Sequence, residues 1–225
     1  MKPRNRSIFA LAGASLITLG TTPAGSTSSA MAPVRYQVVF ERTWSADTHP
    51  KDFPLLAHFS PVIGATHDGR YDPFRAGAVA TAGIEHLCEE GKHQPLDGEI
   101  RDAVAKGDAG ALIETPDPLR SVPGQAVATF EIDSSHPMVS IAAMIAPSPD
   151  WCAIAADVAL LENGDWVAQK TITLEAWDVG TDSATSYRAF DDDTRPRAPI
   201  QLNAQPYFVK DGKRVPVGTV TFVRQ

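Results

Sequence analysis

From residue 33 onward, apolar and polar positions trade places over short runs whose period is that of strands. Tyr36-Gln37-Val38-Val39-Phe40, continued by Arg42 and Trp44, alternates imperfectly, and Ala126 to Ile132 alternates in the same sense. Val139 to Ile145 is nearly all apolar, the pattern of a strand covered on both faces. Further β-rich runs cover 153–161, 166–174, 206–209 and 217–223. Asn163-Gly164 and Asp211-Gly212 supply the positive dihedrals of tight hairpins. Many short strands parted by turns predict an all-β protein, an antiparallel β-sandwich. Short helices are expected only in the 74–106 region. Phe74 to Glu90 carries Ile84 and Leu87 near helical spacing, and Asp97 to Lys106 opens on a capping Asp and closes before Gly107. Residues 107–124, broken by Pro116, Pro118, Pro123 and by glycines, read as loop.

The N-terminus follows a different rule. Lys2, Arg4 and Arg6 precede an apolar run over residues 8–20, and small residues continue to Ala30 and Ala32. This is the layout of a secretory signal over residues 1–32, cleaved after Ala32, which leaves 33–225 as a secreted or periplasmic domain. The apolar run is too short, and too diluted by Gly and Ser, for a stable span of ~20 residues. Beyond residue 32 the chain holds 17 cationic side chains against 27 carboxylates, a net charge of −10 with no basic block. That balance argues against nucleic acid and against unaided binding to anionic membranes, and makes divalent cations natural partners. Cys88 and Cys152 would share an oxidising compartment, where an even count permits one disulfide. Their spacing leaves a bond and two separate buried thiols equally open, and neither lies in a C-x-x-C pair of the kind used by zinc and redox sites.

The segment richest in chemistry is Ala146-Pro147-Ser148-Pro149-Asp150-Trp151, with Trp177-Asp178-Val179-Gly180-Thr181-Asp182-Ser183 downstream. Two prolines stiffen the first loop and Gly180 lets the second curl, so that Asp150, Asp178 and Asp182 can converge. Converged carboxylates repel, and a hard cation such as Ca²⁺, which takes six to eight oxygens, resolves the conflict. Asp is equally a favoured turn residue, so capping alone accounts for the same pattern.

These stretches also carry a family likeness. Tyr36 to Ser45, His49-Pro50, Phe53-Pro54, His58-Phe59-Ser60, Gly64 with His67, Ala80 to Gly83, His136-Pro137, the PSPDW of 147–151 and the DVGTDS of 178–183 together resemble the spondin domain family over roughly residues 34–225. The resemblance implies a sandwich similar to those of calcium-dependent lipid-binding domains, with one Ca²⁺ held by Asp150, Asp178 and Asp182. It implies a non-enzymatic recognition or adhesion module whose partner is a protein or a glycan. Val179 and Ala184 stand where the family has Ala and Gly, and Cys152-Ala153-Ile154 replaces a more open sequence; no candidate carboxylate is removed.

Two other functions compete. His49, His58 and His67 recur every nine residues, which invites a metal-dependent hydrolase, as does the pair Asp150 and Asp178. Nine is neither a helical nor a strand period, and hydrogen bonding of His58 and His67 within the fold is the preferred reading. No Ser sits in G-x-S-x-G. A calcium-dependent lipid binder follows from analogy of fold alone. Asp191-Asp192-Asp193 reads as a solvated loop or an acidic rim.

Overall fold

The computed structural model describes residues 31–225. The leader expected at 1–32 lies outside the described residues, apart from Met31 and Ala32. In chain order the elements are β1 (Val34–Arg42), β2 (His58–Phe59), β3 (Ile63–His67), α1 (Ala82–Glu90), α2 (Leu96–Lys106), β4 (Ala109–Glu114), β5 (Gln125–Ile132), β6 (Met138–Ala146) and β7 (Trp151–Ala159). There follow β8 (Leu161–Glu162), β9 (Asp165–Trp166), β10 (Gln169–Asp178), β11 (Gln201–Leu202), β12 (Val209–Lys210), β13 (Lys213–Arg214) and β14 (Gly218–Arg224). All strand pairs are antiparallel, and the main sheet runs β4-β3-β6-β7-β10-β14-β1-β5, with β2 added on β6 and β11 on β10.

One strand serves two layers. Gln169 to Leu174 of β10 pair with β14, whereas Glu175 to Asp178 pair with Ile154 to Trp151 of β7. The sheet folds over at that switch, and the enclosed face is filled by Tyr36, Val38 and Phe40 of β1, Phe130 of β5, Val220 and Phe222 of β14, and the odd-numbered residues Val139, Ile141, Ala143 and Ile145 of β6.

The even-numbered residues of β6 face the other way. Ala142, Met144 and Ala146 join Ile63 and Ala65 of β3 and Cys152 and Ile154 of β7 in a second core, closed by Ile84, Leu87 and Cys88 of α1 and Leu96, Ile100 and Ala103 of α2. The helices therefore cover the outer face of this layer, which is the physical reason for the unbroken apolar run in β6. Gly64 belongs to the same packing: a Cβ there would lie 2.0 Å from the Ser140 carbonyl oxygen across the β3–β6 pair.

Cys88 on α1 and Cys152 on β7 are joined by a disulfide with Cα atoms 5.5 Å apart. The bond ties the helical layer to the strand that begins at Trp151.

Several local expectations change. The first helix starts at Ala82, capped by Thr81, whose Oγ1 accepts the Ile84 N–H, and residues before it form turns. The second begins at Leu96 with Pro95 in the capping position, and Asp97 sits in its first turn, paired with Arg101 at 2.6 Å. The expected loop at 107–124 contains β4, because pairing with β3 outweighs its glycine. The run at 166–174 divides between β9 and β10, and that at 206–209 reduces to β12. Both predicted hairpin turns form, with Asn163, Gly164, Asp211 and Gly212 at positive φ.

The disulfide closes a loop of 64 residues. Replacing both cysteines by serine is expected to cost about 2–4 kcal/mol, read as a lower midpoint in chemical denaturation; an unchanged midpoint contradicts a stabilising cross-link.

Candidate functional site

Asp150 follows the stiff turn between β6 and β7, where the Ser148 hydroxyl accepts the Trp151 N–H at 3.2 Å. Its side chain is 0 % exposed. Oδ2 accepts the N–H groups of Thr181 (2.8 Å) and Asp182 (3.2 Å), while Oδ1 is buried without a hydrogen-bond partner. Thus one carboxylate oxygen pins the distant 178–183 loop and the other is left over.

That loop is shaped from within. Asp178 ends β10 opposite Trp151, and its Oδ1 accepts the Gly180 N–H at 3.0 Å. Gly180 has φ +76°, and a Cβ there would meet the Ala198 carbonyl oxygen at 2.3 Å, so only glycine allows this turn against this neighbour. Asp182 is buried; its Oδ1 accepts the N–H groups of Ala184 (2.7 Å) and Asp192 (3.3 Å). The family departure at Ala184 therefore leaves the backbone path beyond Asp182 hydrogen-bonded to it. The acidic run is drawn in as well, since Asp182 bridges Asp193 and the Ser183 hydroxyl donates to Asp192 Oδ2 at 2.6 Å.

The electrostatics are those of crowded, uncompensated acid. Burial, then the neighbouring charge of Asp178, pushes the Asp150 carboxyl up to about 7, although its two backbone donors pull the other way. Burial also raises Asp178. Among the described residues neither Asp150, Asp178 nor Asp182 forms an ion pair with Lys or Arg; the adjacent guanidinium groups are taken, Arg195 by Asp193 and Arg197 by Glu85. Glu89 of α1, next to the disulfide, adds a further carboxylate: burial raises it, Asp182 and Asp191 lie within charge range, and its Oε1 is buried and unpartnered. Sequence reading passed over Glu89, and its place beside Cys88 was the available signal.

Asp150, Asp178 and Asp182 do not close into a tight ligand set. Among the described residues, His67, Asp72 and Asp157 are the one group offering ligand atoms that all lie within 4.8 Å of one another. Opposite oxygens around one Ca²⁺ stand about 5 Å apart, and unneutralised carboxylates repel, so a looser arrangement still suits that ion. The orphaned Asp150 oxygen and the all-oxygen donor set also fit it.

The three histidines are not gathered. His49 is buried between the Thr48 hydroxyl (2.8 Å) and the Val215 carbonyl (3.3 Å), and His58 Nδ1 lies 2.8 Å from the Leu56 carbonyl oxygen. His67 stands on β3 with Ser140. A zinc-hydrolase centre built from all three does not form, because each ring is engaged in a different part of the fold. Trp151 is buried in an aromatic cluster with Tyr187, Tyr207 and Phe208, and so braces the loop that carries Asp150.

The Spondin_N family model matches residues 34–211. The chain is 31% identical over 175 residues to Spondin-1 of Mus musculus, covering 74% of this chain and 21% of that protein. It is 30% identical over 226 residues to Spondin-2 of Rattus norvegicus, covering 93% of this chain and 68% of that protein, and 32% identical over 188 residues to Spondin-2 of Homo sapiens, covering 79% and 56%. The chain spans about a fifth of the length of the Spondin-1 relatives it matches.

A pH dependence follows from Asp150. In the unfolded chain its carboxyl ionises near the ordinary value of 3.8, in the folded chain only near 7, so between these values the native state holds the extra proton. The stability this contributes is complete below about pH 4 and is lost as pH rises to about 7. In calcium-free buffer the melting temperature of the wild type, relative to Asp150→Asn, is expected to fall between pH 5 and 7.5; a flat difference contradicts the assignment.

Proposed function

The chain belongs to the Spondin_N family, and from that premise we propose that residues 33–225 act as an exported, calcium-dependent recognition module of the spondin type, with no enzymatic chemistry of its own. The observation that carries this reading is Asp150, a fully buried carboxylate with one oxygen unpartnered and no cationic side chain to balance it. Asp150, Asp178 and Asp182 would hold the ion, which when bound supplies positive charge to a site otherwise composed of acid.

The chain's own residues then determine what that charge does. Asp150 Oδ2 stays committed to the Thr181 and Asp182 N–H groups, so the PSPDW turn and the 178–183 loop are tied to each other. Asp182 Oδ1 passes the constraint to Asp192, and hence to residues 183–193, which include the exposed Arg188 and Phe190. Neutralising the aspartates therefore orders an exposed rim, and that rim is the surface offered to a protein or glycan partner. Export is supported by the leader pattern and by the disulfide, which persists in an oxidising compartment. Among the described residues no helix is long and apolar enough to cross a membrane.

Calorimetric titration of the chelator-treated protein with CaCl₂ is expected to show one binding event, with affinity reduced at least tenfold by Asp178→Asn while the fold is retained. Absence of heat and of any calcium-induced rise in melting temperature, or equal affinity in the variant, contradicts the proposal.

A further inference from the structure

The group that does close within ligand distance lies elsewhere. His67 ends β3, Asp72 sits in the following loop, and Asp157 lies on β7, seven residues beyond Asp150 and so roughly 20 Å along the strand from the aspartate site. We infer that His67, Asp72 and Asp157 form a second cation site, suited to a borderline divalent ion of the zinc type.

Each ligand is prepared by its surroundings. His67 is fully buried, and its Nδ1 accepts the Gly69 N–H at 3.1 Å, which makes Nε2 the protonated nitrogen, donating to the Ser140 hydroxyl at 2.8 Å. The acceptor on Nε2 fixes the ring, as in a metal-ligating imidazole, and leaves Nδ1 as the nitrogen that takes an ion once the Gly69 N–H gives way. The same Ser140 Oγ accepts the Asp157 N–H at 2.9 Å, so one hydroxyl fixes two of the three ligands. Register between β6 and β7 shifts between Val139 and Ile141, and there Asp157 adopts φ +53° and is exposed.

Asp72 supplies the sign that something is wanting. Its Oδ1 accepts the Phe74 N–H at 3.0 Å, but Oδ2 is buried without a partner. Arg75, whose charge acts on His67, donates to the Gly69 carbonyl instead of to either carboxylate. Among the described residues neither Asp72 nor Asp157 takes part in an ion pair. One imidazole and two carboxylates within 4.8 Å, with Asp157 open to water, give three protein ligands and room for solvent, a set that favours zinc over calcium because calcium takes oxygen. Binding at Nδ1 takes the place of the Gly69 N–H as that nitrogen's partner.

The test is competition for Zn²⁺ against a chromogenic chelator, using the purified protein and the variants Asp72→Asn, Asp157→Asn and Asp178→Asn. Wild type is expected to take up one tight equivalent, Asp72→Asn and Asp157→Asn to bind at least tenfold more weakly, and Asp178→Asn to be unchanged. Asp157 is exposed, so its variant is expected to melt with the wild type and to separate ligation from misfolding. Zinc uptake that survives both Asp72→Asn and Asp157→Asn, as uptake by surface pairs such as His86 with Glu90 would, overturns the site; so does no uptake at micromolar zinc. Because calcium is titrated separately, loss of either result leaves the other standing.

Discussion

A carboxylate removed from water with only half of its hydrogen-bonding capacity met is the constraint around which this domain is arranged. Asp150 Oδ2 is satisfied by two backbone N–H groups from a loop some 30 residues away, and that pair of bonds joins the two acidic corners. Oδ1 receives nothing, and the neighbouring charges repel it. A buried group in this condition is costly unless protonated or neutralised. Its raised proton affinity follows first from that burial.

The sandwich supplies the rigidity this requires. Because β10 changes partner from β14 to β7 along its length, its last residue, Asp178, is delivered opposite Trp151 at the seam of the two layers. Behind the seam, the helical layer closes over β6 and β7, and the Cys88–Cys152 bond fixes α1 two residues from Asp150, bringing Glu89 to the edge of the acidic cluster. At the opposite end of the β6–β7 hairpin, Ser140 of β6 links His67 of β3 to the Asp157 backbone at the strand bulge. The acidic cluster and the His67–Asp72–Asp157 group thus lie at opposite ends of β7 and share no residue.

Much of this was legible in the amino-acid sequence where local physics dominates. The unbroken apolar run at 139–145 announced a strand with two covered faces, Asn163-Gly164 and Asp211-Gly212 announced hairpins, and the spacing of Asp150, Asp178, Gly180 and Asp182 announced two loops able to meet. What stayed hidden depends on partners distant in sequence. Ile63 to His67 is a strand only because β6 and β4 flank it, and Ala109 to Glu114 only because β3 does. Glu89 looks like any charged helix residue until the disulfide brings it toward Asp182, and nothing near His67 in the chain points to Asp157. The nine-residue recurrence of histidine, conspicuous on paper, corresponds to no shared site.

The most direct measurement is a crystal structure of the protein grown in calcium, read at the Asp150 carboxylate. A density peak about 2.3–2.6 Å from oxygens of Asp150, Asp178 and Asp182 is the predicted result. A protonated Asp150 donating to a neighbouring oxygen, or an acidic cluster neutralised by an arginine side chain with no ion between the loops, would contradict the account.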